Sequence, residues 1–217
     1  MGIKRLQKRF HVAPFAVISE ESMIPLCEKY GVEWCMYKNE PLGEKKNYGL
    51  SQIKDKDFDF LIEIGSDDLI LGELFDQYQK FFVKYDFFGI CDAAYINSED
   101  LACRRLQSNS TYGAGRAISK KALEKVNYTL WPEKQSRGMD NRSIVRMYKE
   151  EIKYWTIPPI DLPCVIDIKS QVNIWPFNYL LGVEYDINEI FSRISEEEVN
   201  AIKCLPQVYQ SANLIEG

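Results

Sequence analysis

The sequence predicts an α/β protein: a mostly parallel central sheet, helices on both faces, and an antiparallel portion in the second half. Three observations carry this expectation. Through residue 85, short apolar runs bounded by turn residues alternate with segments of helical periodicity, the rhythm of parallel strands joined by crossover helices. From residue 86 onward, apolar runs follow one another across short polar turns, as antiparallel neighbours do. At 217 residues, with 46% hydrophobic and 27% charged side chains, the chain fits one globular core and is short for two.

Taken in order, Ile3, Leu6 and Phe10 share one helical face, and residues 15–18 read as a buried strand. Ser19-Glu20-Glu21-Ser22 opens a helix that Gly31 closes. Residues 32–37 form the next strand, and Pro41-Leu42-Gly43 turns the chain into a helix over about 44–53. A third strand at 58–64 ends in Gly65-Ser66-Asp67-Asp68, and 69–85 reads as mainly helical. In the second half, strands at 87–96 and 101–106 flank the polar turn Asn97-Ser98-Glu99-Asp100. A strand at 113–118 leads into a helix at 119–126, and a loop through Trp131-Pro132 precedes a helix at about 139–151. Short strands at 153–157 and 164–168 surround Pro158-Pro159, and two short helices follow residue 187. With no repeat, low-complexity tract or linker, the chain divides into a first half (1–85), a second half (86–180) and a helical tail (181–217) of one domain.

Composition removes several function classes. A net charge of −5 gives no support to an electrostatic grip on DNA or anionic membrane, so a nucleic-acid partner is not expected. The six cysteines contain no C-x-x-C pair, which argues against zinc ribbons and redox motifs and suits buried reduced thiols. His11 is the only histidine, so a histidine-based triad or multi-histidine metal site is excluded unless His11 serves alone. No apolar run approaches the roughly 20 residues of a membrane helix, and the basic start lacks a signal-peptide core. The expectation is a soluble cytoplasmic protein, in which the glycosylation sequons at Asn109, Asn127 and Asn141 carry no meaning.

Open α/β sheets bind ligands at the carboxyl ends of their strands, and the Gly65-Ser66-Asp67-Asp68 turn sits at such an end. Adjacent carboxylates repel unless a cation is present, and magnesium or manganese holding a diphosphate would supply one. Gly65 and Ser66 are small enough for a ligand to approach the backbone. The plainer reading is that Asp67 and Asp68 cap the helix that follows.

The segment Asn39-Glu40-Pro41-Leu42-Gly43-Glu44-Lys45-Lys46-Asn47-Tyr48-Gly49-Leu50 precedes the turn by about a helix and a strand. It resembles the stretch of family 2-like GT-A glycosyltransferases in which an asparagine-glycine loop leads into a helix bearing a basic-asparagine pair. Lys46-Asn47 stands at that pair, and Gly65-Ser66-Asp67 stands at the family's D-x-D motif. The resemblance implies a nucleoside diphosphate-sugar donor held near Lys46, Asn47, Gly65 and Ser66, with magnesium or manganese on Asp67 and Asp68. Gly113-Ala114-Gly115-Arg116-Ala117-Ile118-Ser119 looks like the strand-to-helix stretch under the acceptor region. There Arg116 would face a phosphate or carboxylate, or be paired on the surface. Asp140, in Ser136-Arg137-Gly138-Met139-Asp140-Asn141-Arg142, matches the residue that supplies the general base in inverting relatives; alternatively it caps a helix. Near residues 165–175 many members carry a metal-binding histidine, and this chain has none. Lys169 would instead neutralise the diphosphate, Trp175 would stack on a sugar, and Asp167 would be a third ligand or hold Lys169.

The resemblance spans about residues 15–175 and departs from the family twice. Gly65 replaces the first aspartate of D-x-D. The family's first, nucleobase-binding strand has no counterpart before the helical start, which leaves residues 15–18 expected on an exposed edge open to self-association. A nucleotidyltransferase shares the sheet, the carboxylates and the nucleotide, although its glycine-rich loop after the first strand is missing. A non-catalytic sugar- or partner-binding module that kept the fold is the other alternative. The motifs specify neither the donor sugar, nor the acceptor, nor the stereochemical course.

Overall fold

The computed structural model describes residues 6–170 and 177–213. β1 (Phe15–Ile18), α1 (Ile24–Tyr30) and β2 (Glu33–Met36) form one crossover unit, with Phe15 opposite Glu33 and Ile18 opposite Met36 in a parallel pair. Gly31 closes α1 at φ +63°, its N–H shared between the carbonyls of Cys27 and Glu28, as its sequence position implied. β1 pairs with β2 on one side and with no other strand among the described residues.

α2 (Leu42–Ile53) and β3 (Phe60–Ile62) follow, and here the expected single sheet divides. β3 pairs antiparallel with β8 (Ala117–Ser119), in a sheet of order β3-β8-β5-β9 with β5 (Phe87–Ile90) and β9 (Tyr154–Ile157). Two backbone bonds extend that ladder past the strand end, from Glu63 N–H to the Arg116 carbonyl (2.9 Å) and from Gly115 N–H to the Glu63 carbonyl (2.7 Å). A second sheet, of order β11-β7-β6-β10-β4, contains β4 (Asp68–Ile70), β6 (Asp92–Asn97), β7 (Cys103–Gln107), β10 (Val165–Lys169) and β11 (Val183–Glu184). The helices are completed by α3 (Gly72–Phe82), α4 (Lys120–Lys125), α5 (Met139–Lys149), α6 (Ile187–Phe191) and α7 (Glu196–Asn213).

The α/β class is as expected, with more antiparallel pairing than the helix–strand rhythm implied. The β1–β2, β6–β10 and β5–β9 pairs are parallel, and the other five described pairs are antiparallel. Two local departures explain the difference. Residues 68–70 form a strand rather than the start of a helix, because Leu69 and Ile70 add an edge to β10 before α3 begins at Gly72. The run at 87–96 breaks at Cys91, and the chain passes from one sheet to the other between β5 and β6.

Alternation along the strands shows how the layers stack. Phe88 and Ile90 of β5, Ala93 and Tyr95 of β6, and Val165 of β10 pack in one cluster with Leu74 and Tyr78 of α3. Phe87 of β5 points to a second cluster, formed with Leu50 of α2, Leu123 of α4 and Met147 of α5. Ala94, Ile96 and Ile166 point to a third, with Ile190 of α6 and Ile202 of α7. Strands buried on both faces read as continuous apolar runs, as 87–96 does. The six cysteines are free and four are buried, while His11 is exposed. No helix among the described residues is long and apolar enough to cross a membrane.

Candidate functional site

The antiparallel register of β4 and β10 places Asp68 opposite Asp167. Asp67 lies just ahead of β4, where its carbonyl accepts the Ile168 N–H at 2.8 Å. One carboxylate oxygen from each of Asp67, Asp68 and Asp167 falls within 4.8 Å of the other two. Opposite oxygens on an octahedral magnesium lie about 4 Å apart, so the three approach the spacing of one ion's ligands. Oxygen-only donors suit magnesium or manganese, and Asp167 Oδ1 is buried without a hydrogen-bond partner, as a carboxylate awaiting a cation would be. The capping reading for Asp67 and Asp68 does not fit: Asp68 itself opens a strand, and Leu71 occupies the N-cap position of α3.

Gly65 leaves room for the two carboxylates. Its N–H donates to Asp68 Oδ2 at 2.5 Å, and a Cβ at this position would lie 2.7 Å from both Asp67 Oδ1 and Asp68 Oδ2. A side chain in place of Gly65 would press on the two carboxylates. Ser66 is exposed beside it. Lys169 ion-pairs with Asp167 Oδ2 at 2.6 Å and lies over the Tyr95 ring, so Asp167 both holds Lys169 and faces the other aspartates.

The charges in this cluster are frustrated. Burial first, then Asp167 and Asp67, push the Asp68 carboxyl up to about 7 against the Gly65 N–H and Lys169. Burial likewise pushes Asp167 up to about 6, with Asp67 adding to it and Lys169 opposing. Holding Asp68 and Asp167 both fully ionised at neutral pH therefore needs more positive charge than Lys169 supplies.

A second cluster gathers around Glu63, one residue past β3. Lys46 of α2 pairs with Glu63 Oε1, and Arg116 Nη2 donates to Glu63 Oε2 at 2.9 Å. Burial acts to raise the Glu63 carboxyl, but Lys46 and Arg116 outweigh it and hold the group below its ordinary value. Arg116 is fully buried; it donates from Nη1 to Ser143 Oγ at 2.7 Å and from Nη2 to Asp140 Oδ1 at 3.2 Å. Asp140 is the second residue of α5, and its side chain is 45% exposed. The N-cap position belongs to Gly138 at φ +67° with no side-chain cap bond, so Asp140 does not cap. Gly113 permits its approach, since a Cβ there would lie 2.5 Å from Asp140 Oδ1.

The structure thus brings Asp67, Asp68, Gly65 and Lys169 together with Asp167, and Lys46, Arg116 and Asp140 together around Glu63. Three residues lie between Glu63 and Asp67, so their Cα atoms, four steps apart, lie within about 14 Å even if the chain is extended. Asn47 joins neither group. It is buried, its amide bonded to the Trp131 carbonyl (2.7 Å) and to the N–H groups of Leu130 (3.0 Å) and Trp131 (3.1 Å). Trp175 lies outside the described residues. Glu63 is the functional candidate that sequence reasoning passed over; its signal was a lone carboxylate in the apolar strand Phe60-Leu61-Ile62-Glu63-Ile64. Cavities of about 370 Å³, beside Glu73 and Arg193, and about 340 Å³, beside Trp131 and Arg146, are not lined by the three aspartates.

No family model and no curated protein sequence matches this chain. Among solved structures it is similar to S. aureus TarS 1–349, at 15% identity and a TM-score of 0.51, over 71% of this chain and 50% of that one. The fold is consistent with the GT-A type. The inositol-1-phosphate CTP transferase from T. maritima superposes at 12% identity and a TM-score of 0.45, over 94% of this chain and 81% of that one. This chain spans half the length of the TarS structure, and the likeness is one of fold.

Proposed function

We propose that this chain is a transferase for a nucleotide-activated donor, and specifically a glycosyltransferase using a nucleoside diphosphate-sugar. The observation that carries the reading is the convergence of Asp67, Asp68 and Asp167 around Gly65, with a buried, unpartnered Asp167 oxygen. The similarity of fold to TarS, a glycosyltransferase, supports it.

In this reading the three aspartates hold magnesium or manganese, which neutralises the donor diphosphate and its leaving group when bound. Gly65 and Ser66 let the diphosphate approach the backbone, and Lys169 adds a point charge beside it. Asp140 accepts the proton of the acceptor hydroxyl as that oxygen attacks the anomeric carbon. Arg116 is a positioning residue: tied to Glu63 and Ser143, it fixes one Asp140 oxygen and leaves the exposed carboxylate its second. Lys46 balances Glu63 and so keeps that anchor in place. Trp175 would stack on a sugar face.

The same carboxylates would serve a nucleotidyltransferase. Incubation with nucleoside diphosphate-sugars and manganese, followed by assay of released nucleoside diphosphate, separates the readings. Metal-dependent release that Asp67→Ala abolishes supports the glycosyltransferase. Pyrophosphate release from a nucleoside triphosphate and a sugar phosphate would make the chain a nucleotidyltransferase, and donor binding without either product would make it a non-catalytic module.

A further inference from the structure

The cavity of about 340 Å³ lies between the 129–132 loop and one face of α5, with Leu130, Trp131 and Pro132 on one side and Arg142, Arg146 and Lys149 on the other. The three cations recur at i, i+4 and i+7, so they form one stripe and repel one another. Arg146 is offset by Glu150 at 2.6 Å, whereas Arg142 and Lys149 have no ion pair among the described residues. This is a concentration of positive charge on a chain whose net charge is −5.

The opposite wall is mostly buried. Trp131 is 4% exposed, and its Nε1 is buried with no hydrogen-bond partner. The wall is rigid, because Asn47 bonds the backbone of Leu130 and Trp131 at three points and Lys46 Nζ lies 4.8 Å from the Trp131 ring centroid. Arg142 is two residues beyond Asp140, about 160° round the helix, so this face is separate from the one that carries the general-base candidate.

We propose that this cavity binds the phosphate group of a small phosphorylated molecule, with Arg142, Arg146 and Lys149 as its counter-charges against the wall of Leu130, Trp131 and Pro132. Guanidinium and ammonium groups are the side chains that recognise phosphate oxygens. The volume is that of a small-molecule pocket, and the acidic remainder of the protein opposes a long polyanion. The site stands independently of the aspartate cluster and of any activity there.

The test uses the full chain with inorganic pyrophosphate as the probe, in EDTA so that no metal bridges it to the aspartates. The expected result is saturable binding that shifts the NMR resonance of the Trp131 indole N–H. Arg142→Gln combined with Lys149→Gln, both exposed positions, weakens it by about tenfold or more at an unchanged melting temperature. Asp67→Asn binds like the wild type. The proposal is overturned if binding is not saturable, if the double variant binds as well as wild type, or if Asp67→Asn abolishes binding. Tighter binding of a single-stranded oligonucleotide than of pyrophosphate would also overturn it, and would make the stripe a polyanion surface instead.

Discussion

Asp68 and Asp167 sit directly opposite each other on antiparallel β4 and β10, two carboxylates where a stable pair of strands would place opposite charges or apolar groups. Like-charged cross-strand neighbours weaken a ladder unless something neutralises them. Manganese with a nucleoside diphosphate should therefore raise the melting temperature, in proportion to about 2.7 kcal/mol at a hundred times the dissociation constant. Asp68→Asn should leave the metal-free protein at least as stable as wild type and remove that ligand-induced gain. Differential scanning fluorimetry of both proteins, with and without manganese and nucleoside diphosphate, reads the two effects together. A variant that loses metal-free stability but keeps the full gain would show the aspartates to be structural.

The part of this site legible in the sequence was the local part. A glycine-serine-aspartate-aspartate turn after an apolar strand announces itself, and Asp167 beside Lys169 was readable as either a ligand or an ion-pair partner; it makes the ion pair and faces Asp67 and Asp68. The strand partners were not legible, because pairing is decided by residues far away in the chain. Nothing in 60–62 says that its neighbour is 117–119 rather than β1. The apolar run at 87–96 hides its break at Cys91 because both pieces are buried on two faces. Leu69-Ile70-Leu71 suits a strand or a buried helix equally by periodicity. Glu63 was missed for the same reason as the strand pairs: Lys46, Arg116 and Asp140 meet it only through the fold.

Asn47 illustrates a motif residue whose structural work is visible. Its side chain satisfies two N–H groups and one carbonyl of the Leu130–Trp131 backbone, all buried. Asn47→Ala should lower stability by about 2–4 kcal/mol, since several buried polar groups lose partners at once. Chemical denaturation measures this. A loss below about 0.5 kcal/mol would show that water replaces the amide.

Gly43 tests the same contact from the other side. A Cβ there would lie 1.9 Å from the Pro132 carbonyl oxygen, and the Gly43 N–H donates to the Gln135 carbonyl at 2.8 Å. The obstacle is backbone rather than a flexible side-chain end, so Gly43→Ala should destabilise by about 2 kcal/mol or more, as overpacking does. Urea denaturation of the variant decides it, and an unchanged midpoint would mean that the 129–136 loop yields freely.

Glu63 gives the acid limb of stability a named contributor. Lys46 and Arg116 hold its carboxyl below the ordinary 4.5 despite burial, so the folded state favours the charged form. A depressed native pKa contributes stability that is complete above about 4.5 and is lost as pH falls through the lower native value. Glu63→Gln should remove that dependence, flattening the wild-type loss below pH 4.5. At neutral pH the same variant should be less stable by about 3 kcal/mol, because fully buried Arg116 keeps only part of its compensation. Melting curves from pH 7 to 3 for both proteins provide the difference, and parallel curves would mean that Glu63 titrates alike in both states.

Asp140 is the residue on which the proposed chemistry turns. Its position on the first turn of α5 is fixed by Arg116, which is itself immobilised by Glu63 and Ser143, and Gly113 leaves the space it occupies. A capping role is excluded by Gly138, so the alternative to a general base is a partner for Arg116 alone. Asp140→Asn separates these roles, because an amide oxygen still accepts from Arg116 Nη2 but takes no proton from an acceptor hydroxyl. With the side chain 45% exposed, the weakened ion pair should cost less than about 1 kcal/mol of stability. Turnover of a nucleoside diphosphate-sugar should fall by about 10²–10⁴-fold, with donor affinity within a few-fold of wild type. A variant of normal stability with full turnover would leave Asp140 as an anchor for Arg116 and the base to be found elsewhere. Loss of donor affinity without a change in kcat would instead place Asp140 in binding rather than in proton transfer.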